Sequence, residues 1–150
     1  MSDVWNEEHS TATPPPAITM TAEDHARLSV LARAAAGRMP EAASALDDEL
    51  GRAVVLARGR PPASIVRMGS EVEFRDDASG KVQVLQLVYP EHADIAKGRI
   101  SVLTPVGTAL IGLRAGTSIT WRTRGGELRR LTVIQVREPA AAQPIGSASA

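Results

Sequence analysis

Arg99-Ile100-Ser101-Val102-Leu103-Thr104-Pro105-Val106-Gly107-Thr108-Ala109-Leu110-Ile111-Gly112-Leu113-Arg114-Ala115-Gly116-Thr117-Ser118-Ile119-Thr120-Trp121 decides how the rest of the chain is read. Ile100 to Leu103 is a short apolar strand. Thr104-Pro105 follows as an N-cap with a proline suited to the first helical position. The helix it opens is brief, because Gly107 and Gly112 weaken it and Gly116 offers a turn. Ile119 and Trp121 then alternate with Ser118, Thr120 and Arg122 as in a half-buried strand. A strand, one small helix and a second strand in so short a span predict a curled sheet closed over a single helix.

Working outward toward the C-terminus, Gly125-Gly126 marks a hairpin, and Leu131, Val133, Ile134 and Val136 make a last strand. Residues 139–150 are mostly Pro, Ala, Ser and Gly with little to bury, and read as a disordered tail. Upstream, Val72 and Phe74 alternate with Glu71, Glu73 and Arg75, and Asp76 to Gly80 is a turn. Lys81 to Tyr89 is a longer strand whose alternation slips between Val84 and Leu85, which predicts a bulge there or burial on both faces. Pro90 to Gly98 reads as an exposed polar loop. Residues 63–138 thus form one α+β domain of about five antiparallel strands and one helix.

Ahead of it, Gly59-Arg60-Pro61-Pro62 is a linker. Residues 21–58 are expected to form a short antiparallel helical hairpin. Thr21-Ala22-Glu23-Asp24 resembles a capping box, Leu28, Leu31 and Ala35 form one stripe, Gly37 stops the helix and Pro40-Glu41 restarts it. Ala42, Leu46, Leu50, Ala53, Val54 and Ala57 form a second stripe. Helices of roughly 16 residues are about 24 Å long. Seams so rich in alanine bury little area, so the hairpin should lean on the sheet domain or on another molecule. Residues 1–20, with Pro14 to Pro16 and the isolated Trp5, read as a disordered leader.

Composition narrows the function. Seventeen basic and seventeen acidic residues cancel, so no global field favours nucleic acid or an anionic membrane. There is no cysteine, which excludes disulfides, thiol catalysis and thiolate metal sites. His9, His25 and His92 lack the spacing of a helical ligand pair. The acidic N-terminus has no apolar signal core, and no apolar run is long enough to span a membrane, so a cytoplasmic protein is expected.

Tyr89-Pro90, Ile100 to Gly107, Ala109 to Leu113 and Gly116 resemble the C-terminal domain of the bacterial Gre-factor superfamily, the relatives of GreA and GreB. The order hairpin, linker, sheet domain is similar too, over residues 20 to 138. The resemblance implies a sheet curled as in FK506-binding proteins, RNA polymerase as partner and no cofactor. In cleaving members an acidic hairpin tip holds a metal near the polymerase active centre, which takes paired carboxylates. The tip here is Ala35 to Glu41 and offers one carboxylate, Glu41, beside Arg38 and Met39. Asp47, Asp48 and Glu49 lie about 9–12 Å back along the helix and point some 100° apart.

The expected activity is therefore that of a non-catalytic regulator that binds polymerase and modulates elongation. The resemblance is greatest to a branch named for its effect on nucleoside diphosphate kinase, an effect that would act through expression. A GreA/GreB-type cleavage factor is the alternative, and a peptidyl-prolyl isomerase is less favoured because Phe74, Tyr89 and Trp121 are the only aromatics available to line a proline pocket. For docking, the resemblance and the rigid corner point to Leu103, Thr104, Pro105 and Val106, with Arg38, Met39 and Glu41 at the tip second. Arg122, Arg124, Arg129 and Arg130 form a candidate patch for a partner or for weak nucleic-acid contact.

Overall fold

The computed structural model describes residues 16–56, 64–123 and 125–137. The leader through residue 15, the linker 59–62, Arg124 and the tail 139–150 lie outside the described residues. A strand β1 (Thr19–Thr21) leads into helix α1 (Ala22–Ala35), and helix α2 (Pro40–Arg52) returns into strand β2 (Val54–Leu56). Thr21 caps α1 by accepting the Asp24 N–H at 3.1 Å, and Glu23 and Asp24 place negative charge in the first turn. Leu28, Ala32 and Ala35 of α1 are buried against Ala43, Leu46 and Leu50 of α2.

Two expectations fail at the ends of this hairpin. The leader does not run to residue 20: Ile18 and Met20 are buried, and Thr19 to Thr21 pair in parallel with Val54 to Leu56. The second helix does not reach Ala57: Ala53 is extended and Val54, Val55 and Leu56 form β2. β-Branched Val54 and Val55 favour a strand, and β1 supplies the ladder partner that a helix would leave unused. Arg52 closes the junction, donating to the Pro16 carbonyl and, at 2.7 Å, to Glu49.

The larger sheet contains β3 (Glu71–Asp76), β4 (Val82–Val88), β5 (Arg99–Ser101), β6 (Ser118–Arg122) and β7 (Leu128–Arg137), in the order β5-β4-β3-β7-β6. Helix α3 (Pro105–Leu110) follows β5. The sheet is antiparallel except at its edge, where β5 runs parallel to β4. A parallel neighbour needs a crossover. Pro90 to Gly98 provides it: not a plain loop, it folds into two single-turn 3-10 helices, Pro90–His92 and Ile95–Lys97, closed by Gly98.

The bulge expected in β4 sits instead in β7, where pairing steps from Glu73 with Gln135 to Phe74 with Val133 and skips Ile134. Strand β4 keeps continuous register with β3, so its apolar slip reflects the other alternative, burial on both faces toward the end of the strand. Val82 and Val84 face outward and are exposed, whereas Leu87 and Val88 are both buried.

One hydrophobic core joins the hairpin to the sheet. Leu28, Leu46 and Leu50 share it with Leu110, Leu113, Leu131 and Val133. The Thr19 N–H donates to the Gly112 carbonyl at 3.1 Å, and Asp24 accepts the Met68 N–H at 3.3 Å. The hairpin leans on the sheet domain of its own chain.

Candidate partner-binding cleft

Helix α3 is held by the residue that precedes it. Thr104 accepts the Gly107 N–H at 3.1 Å and donates to the Ser101 carbonyl at 2.8 Å, while Pro105 fills the first turn. Thr108, buried, donates to the Val102 carbonyl at 2.6 Å. These hydrogen bonds close the corner between β5 and α3. It is less exposed than expected: Leu103 is core, 6% exposed, and Thr104, Pro105 and Val106 are half-buried.

The hairpin tip comes to rest beside this corner. Met39 and Glu41 line a cleft of about 690 Å³ together with Leu103 and Pro105. Its α2 wall continues through Ala42, Ala45 and Glu49, and its opposite wall is Ile119, Trp121 and Arg122 of β6. Arg38 is exposed outside it, and Thr104 and Val106 do not line it. Two of the three tip residues and two of the four corner residues therefore bound one concavity. Sequence reasoning missed Ala42, Ala45 and Trp121 as its lining, Trp121 having been read only as an apolar-face position of a half-buried strand.

Two arginines of the candidate patch are ion-paired. Arg129 pairs with Asp76 at 3.0 Å and with Glu127 at 3.8 Å, and Arg130 pairs with Asp77 at 3.1 Å. Burial pushes the Asp76 and Asp77 carboxyls up. Several opposing effects together outweigh it and hold both below the usual carboxylate value: hydrogen bonds from the Ser79 and Ala78 N–H and the Arg129 charge for Asp76, and Thr132, Arg75 and Arg130 for Asp77. Arg122 donates to the Gly126 carbonyl at 2.9 Å.

The aromatics do not converge. Phe74 is core, Trp121 lines this cleft, and Tyr89 lines a second groove of about 1030 Å³ with Asp24, Arg27, Arg67 and Arg99. Among the described residues, no three histidine or carboxylate side chains come together as a metal site. Asp47 and Asp48 are exposed, and Glu49 is held by Arg52 at 2.7 Å.

In the second groove, burial raises the Asp24 carboxyl above its ordinary value, only partly offset by the Met68 N–H and the Arg67 charge. A carboxyl whose folded value is raised binds its proton more tightly when folded, so its charge costs stability at neutral pH. That cost is relieved as the pH falls through the raised folded value toward the ordinary 3.8. The Asp24→Asn variant should therefore gain stability relative to wild type at neutral pH, the gain shrinking on acidification. Melting temperatures measured across that range check this; a difference independent of pH would contradict it.

A family model described as transcription elongation factor GreA/GreB, C-term, matches residues 61–138, and one described as Rnk N-terminus matches residues 16–56. The chain belongs to the GreA/GreB family. It is 38% identical over 128 residues to the regulator of nucleoside diphosphate kinase of Escherichia coli (strain K12), which covers 85% of this chain and 94% of that protein. It is a homologue of that regulator over most of its length.

Similarity to the GreA of Rhodospirillum rubrum, 38% over 90 residues, covers 60% of this chain and 55% of that factor. A solved GreA/GreB factor from Nitrosomonas europaea superposes with a TM-score of 0.65 at 36% identity, covering 82% of this chain and 99% of that one. The GreA/GreB-like fold, two N-terminal helices followed by a curled sheet, accords with this membership. No helix among the described residues is long and apolar enough to cross a membrane.

Proposed function

We propose that this GreA/GreB-family chain is a non-catalytic cytoplasmic regulator that docks on RNA polymerase and modulates transcription elongation. Its effect on nucleoside diphosphate kinase is indirect, through expression. The observation that carries the reading is the hairpin tip. It bears a single carboxylate, Glu41, and rests beside the β5–α3 corner instead of presenting paired acids to a metal. A hard divalent ion needs several oxygen ligands, and one exposed glutamate does not supply them. The sheet curls around α3 as in FK506-binding proteins, but the scattering of Phe74, Tyr89 and Trp121 favours no isomerase pocket.

Docking is assigned to Thr104, Pro105 and Val106, with Leu103 supporting them from the core. The Pro105→Asp variant tests it. An acid in the first turn of α3 favours the helix, so the fold should survive. Affinity for core RNA polymerase should fall at least about tenfold, or ~1.4 kcal/mol. Binding titrations at moderate salt read this out, and unchanged affinity of the folded variant would refute the docking site. Added to backtracked transcription complexes, the protein should leave the transcript intact; metal-dependent shortening would make it a cleavage factor.

A further inference from the structure

We infer that the cleft between α2 and β6 is the seat of a polymerase segment that inserts an apolar side chain there. That side chain is flanked by a basic residue on the α2 side and an acidic residue on the β6 side. The inference rests on the polymerase reading above and names the chemistry of the element that is bound.

Three observations carry it. First, α2 presents two faces. Ala43, Leu46 and Leu50 close against α1, while Ala42, Ala45 and Glu49 face the cleft. Because the cleft-facing positions nearest the corner are alanines, the chain leaves open a space that a leucine or methionine at position 45 would fill. Ala45 is exposed, although it lines the same cleft as the apolar groups of Leu103, Pro105, Ile119 and Trp121.

Second, Trp121 and Met39 are only partly covered by their own fold, Met39 being 38% exposed. Large adaptable or aromatic groups left half-covered around a concavity are the side chains that anchor interfaces when a partner desolvates them.

Third, the two walls carry opposite charges that no ion pair among the described residues neutralises. Among the described residues Glu41 makes no ion pair, and Arg122 makes none either, its guanidinium donating to the Gly126 carbonyl. Glu49, the other acid in the lining, is taken by Arg52. An occupant that pairs with both open charges must carry a base where it meets α2 and an acid where it meets β6. Such rim charges set orientation and association rate, and their effect is screened by salt.

The test is a binding titration of the full chain against core RNA polymerase. Ala45→Phe should plug the cleft while keeping wild-type circular dichroism and melting, since the side chain enters open space. Its affinity should fall at least about tenfold. Ala45→Leu, which fills less, should fall between Ala45→Phe and wild type and guards against misfolding of the bulkier variant. Glu41→Arg and Arg122→Glu should each weaken binding by about threefold or more at low salt, with the differences closing as salt is raised.

Folded Ala45 variants that bind like wild type would overturn the cleft as the seat while leaving polymerase docking intact. Charge reversals without effect at low salt would overturn the assigned flanking charges. Failure of wild type itself to bind would remove the polymerase reading and the inference with it.

Discussion

Gly107→Ala is expected to destabilise the protein by about 2–3 kcal/mol, although it replaces a helical glycine with the best helix former. Propensity alone favours the substitution by roughly 0.5–1 kcal/mol. Packing opposes it. A Cβ on Gly107 would stand 2.3 Å from the Ser101 carbonyl oxygen, 3.0 Å from the Val102 Cα and 3.0 Å from the Thr104 hydroxyl. Two of these neighbours are backbone, so no rotamer change relieves them. The Ser101 carbonyl also accepts from the Thr104 hydroxyl and cannot withdraw without releasing the cap.

Overpacking of this kind typically costs ~1–3 kcal/mol, and contact with fixed backbone places this site at the upper end. The cost outweighs the propensity gain severalfold. At about 2–8 °C of melting temperature per kcal/mol for domains of this size, thermal denaturation should show a loss near 10 °C. A variant melting at or above wild type would show that β5 and α3 separate more easily than the geometry implies. Thr104→Ala, which removes the cap but adds no atoms, should cost only about 1 kcal/mol and separates the two effects.

How much of this was legible in advance follows from the range over which each feature is encoded. The Thr104-Pro105 cap, the Thr21 cap and the turn at Gly37 are written in neighbouring residues, and the structure forms each where the sequence places it. The features that escaped are those decided by segments distant along the chain. Val54 continues an apolar helical stripe in sequence, yet Val54 to Leu56 become a strand because Thr19 to Thr21 lie alongside. Arg129 and Arg130 read as an open basic patch until Asp76 and Asp77, at the far end of β3, are brought against them.

The cleft is the same kind of case. Its residues come from α2, the β5–α3 corner and β6, and nothing local tells whether Ala45 faces solvent, a partner helix or Trp121. The β4–β5 pair is parallel for an equally non-local reason, since Pro90 to Gly98 could have turned back instead of crossing over.

Gly112→Ala should cost about 3–4 kcal/mol and should do so by releasing the N-terminal segment. Gly112 has φ +82°, and a Cβ there would meet the Ile18 Cβ at 2.7 Å and the Thr19 N and O at 3.3 Å. The left-handed backbone alone costs an alanine roughly 1–2 kcal/mol. Relieving the clash requires β1 to move away from α3. Ile18 and Met20 are both almost fully buried, and covering one such side chain contributes about 1.5–3 kcal/mol.

The same movement would break the Thr19 N–H bond to Gly112 and draw on the Val54 N–H bond to Ile18. The two-stranded sheet β1–β2 should therefore loosen before the five-stranded sheet does. Hydrogen exchange should show lost protection at Val54 while Val72 and Val133 keep theirs. Gly112→Asn distinguishes the causes: asparagine tolerates the left-handed backbone but carries the same Cβ, so it should fail nearly as badly as alanine if the clash with Ile18 dominates. Recovery of most of the stability in the asparagine variant would assign the cost to backbone strain. Unchanged protection at Val54 in both variants would mean that the hairpin does not depend on its seat against Gly112.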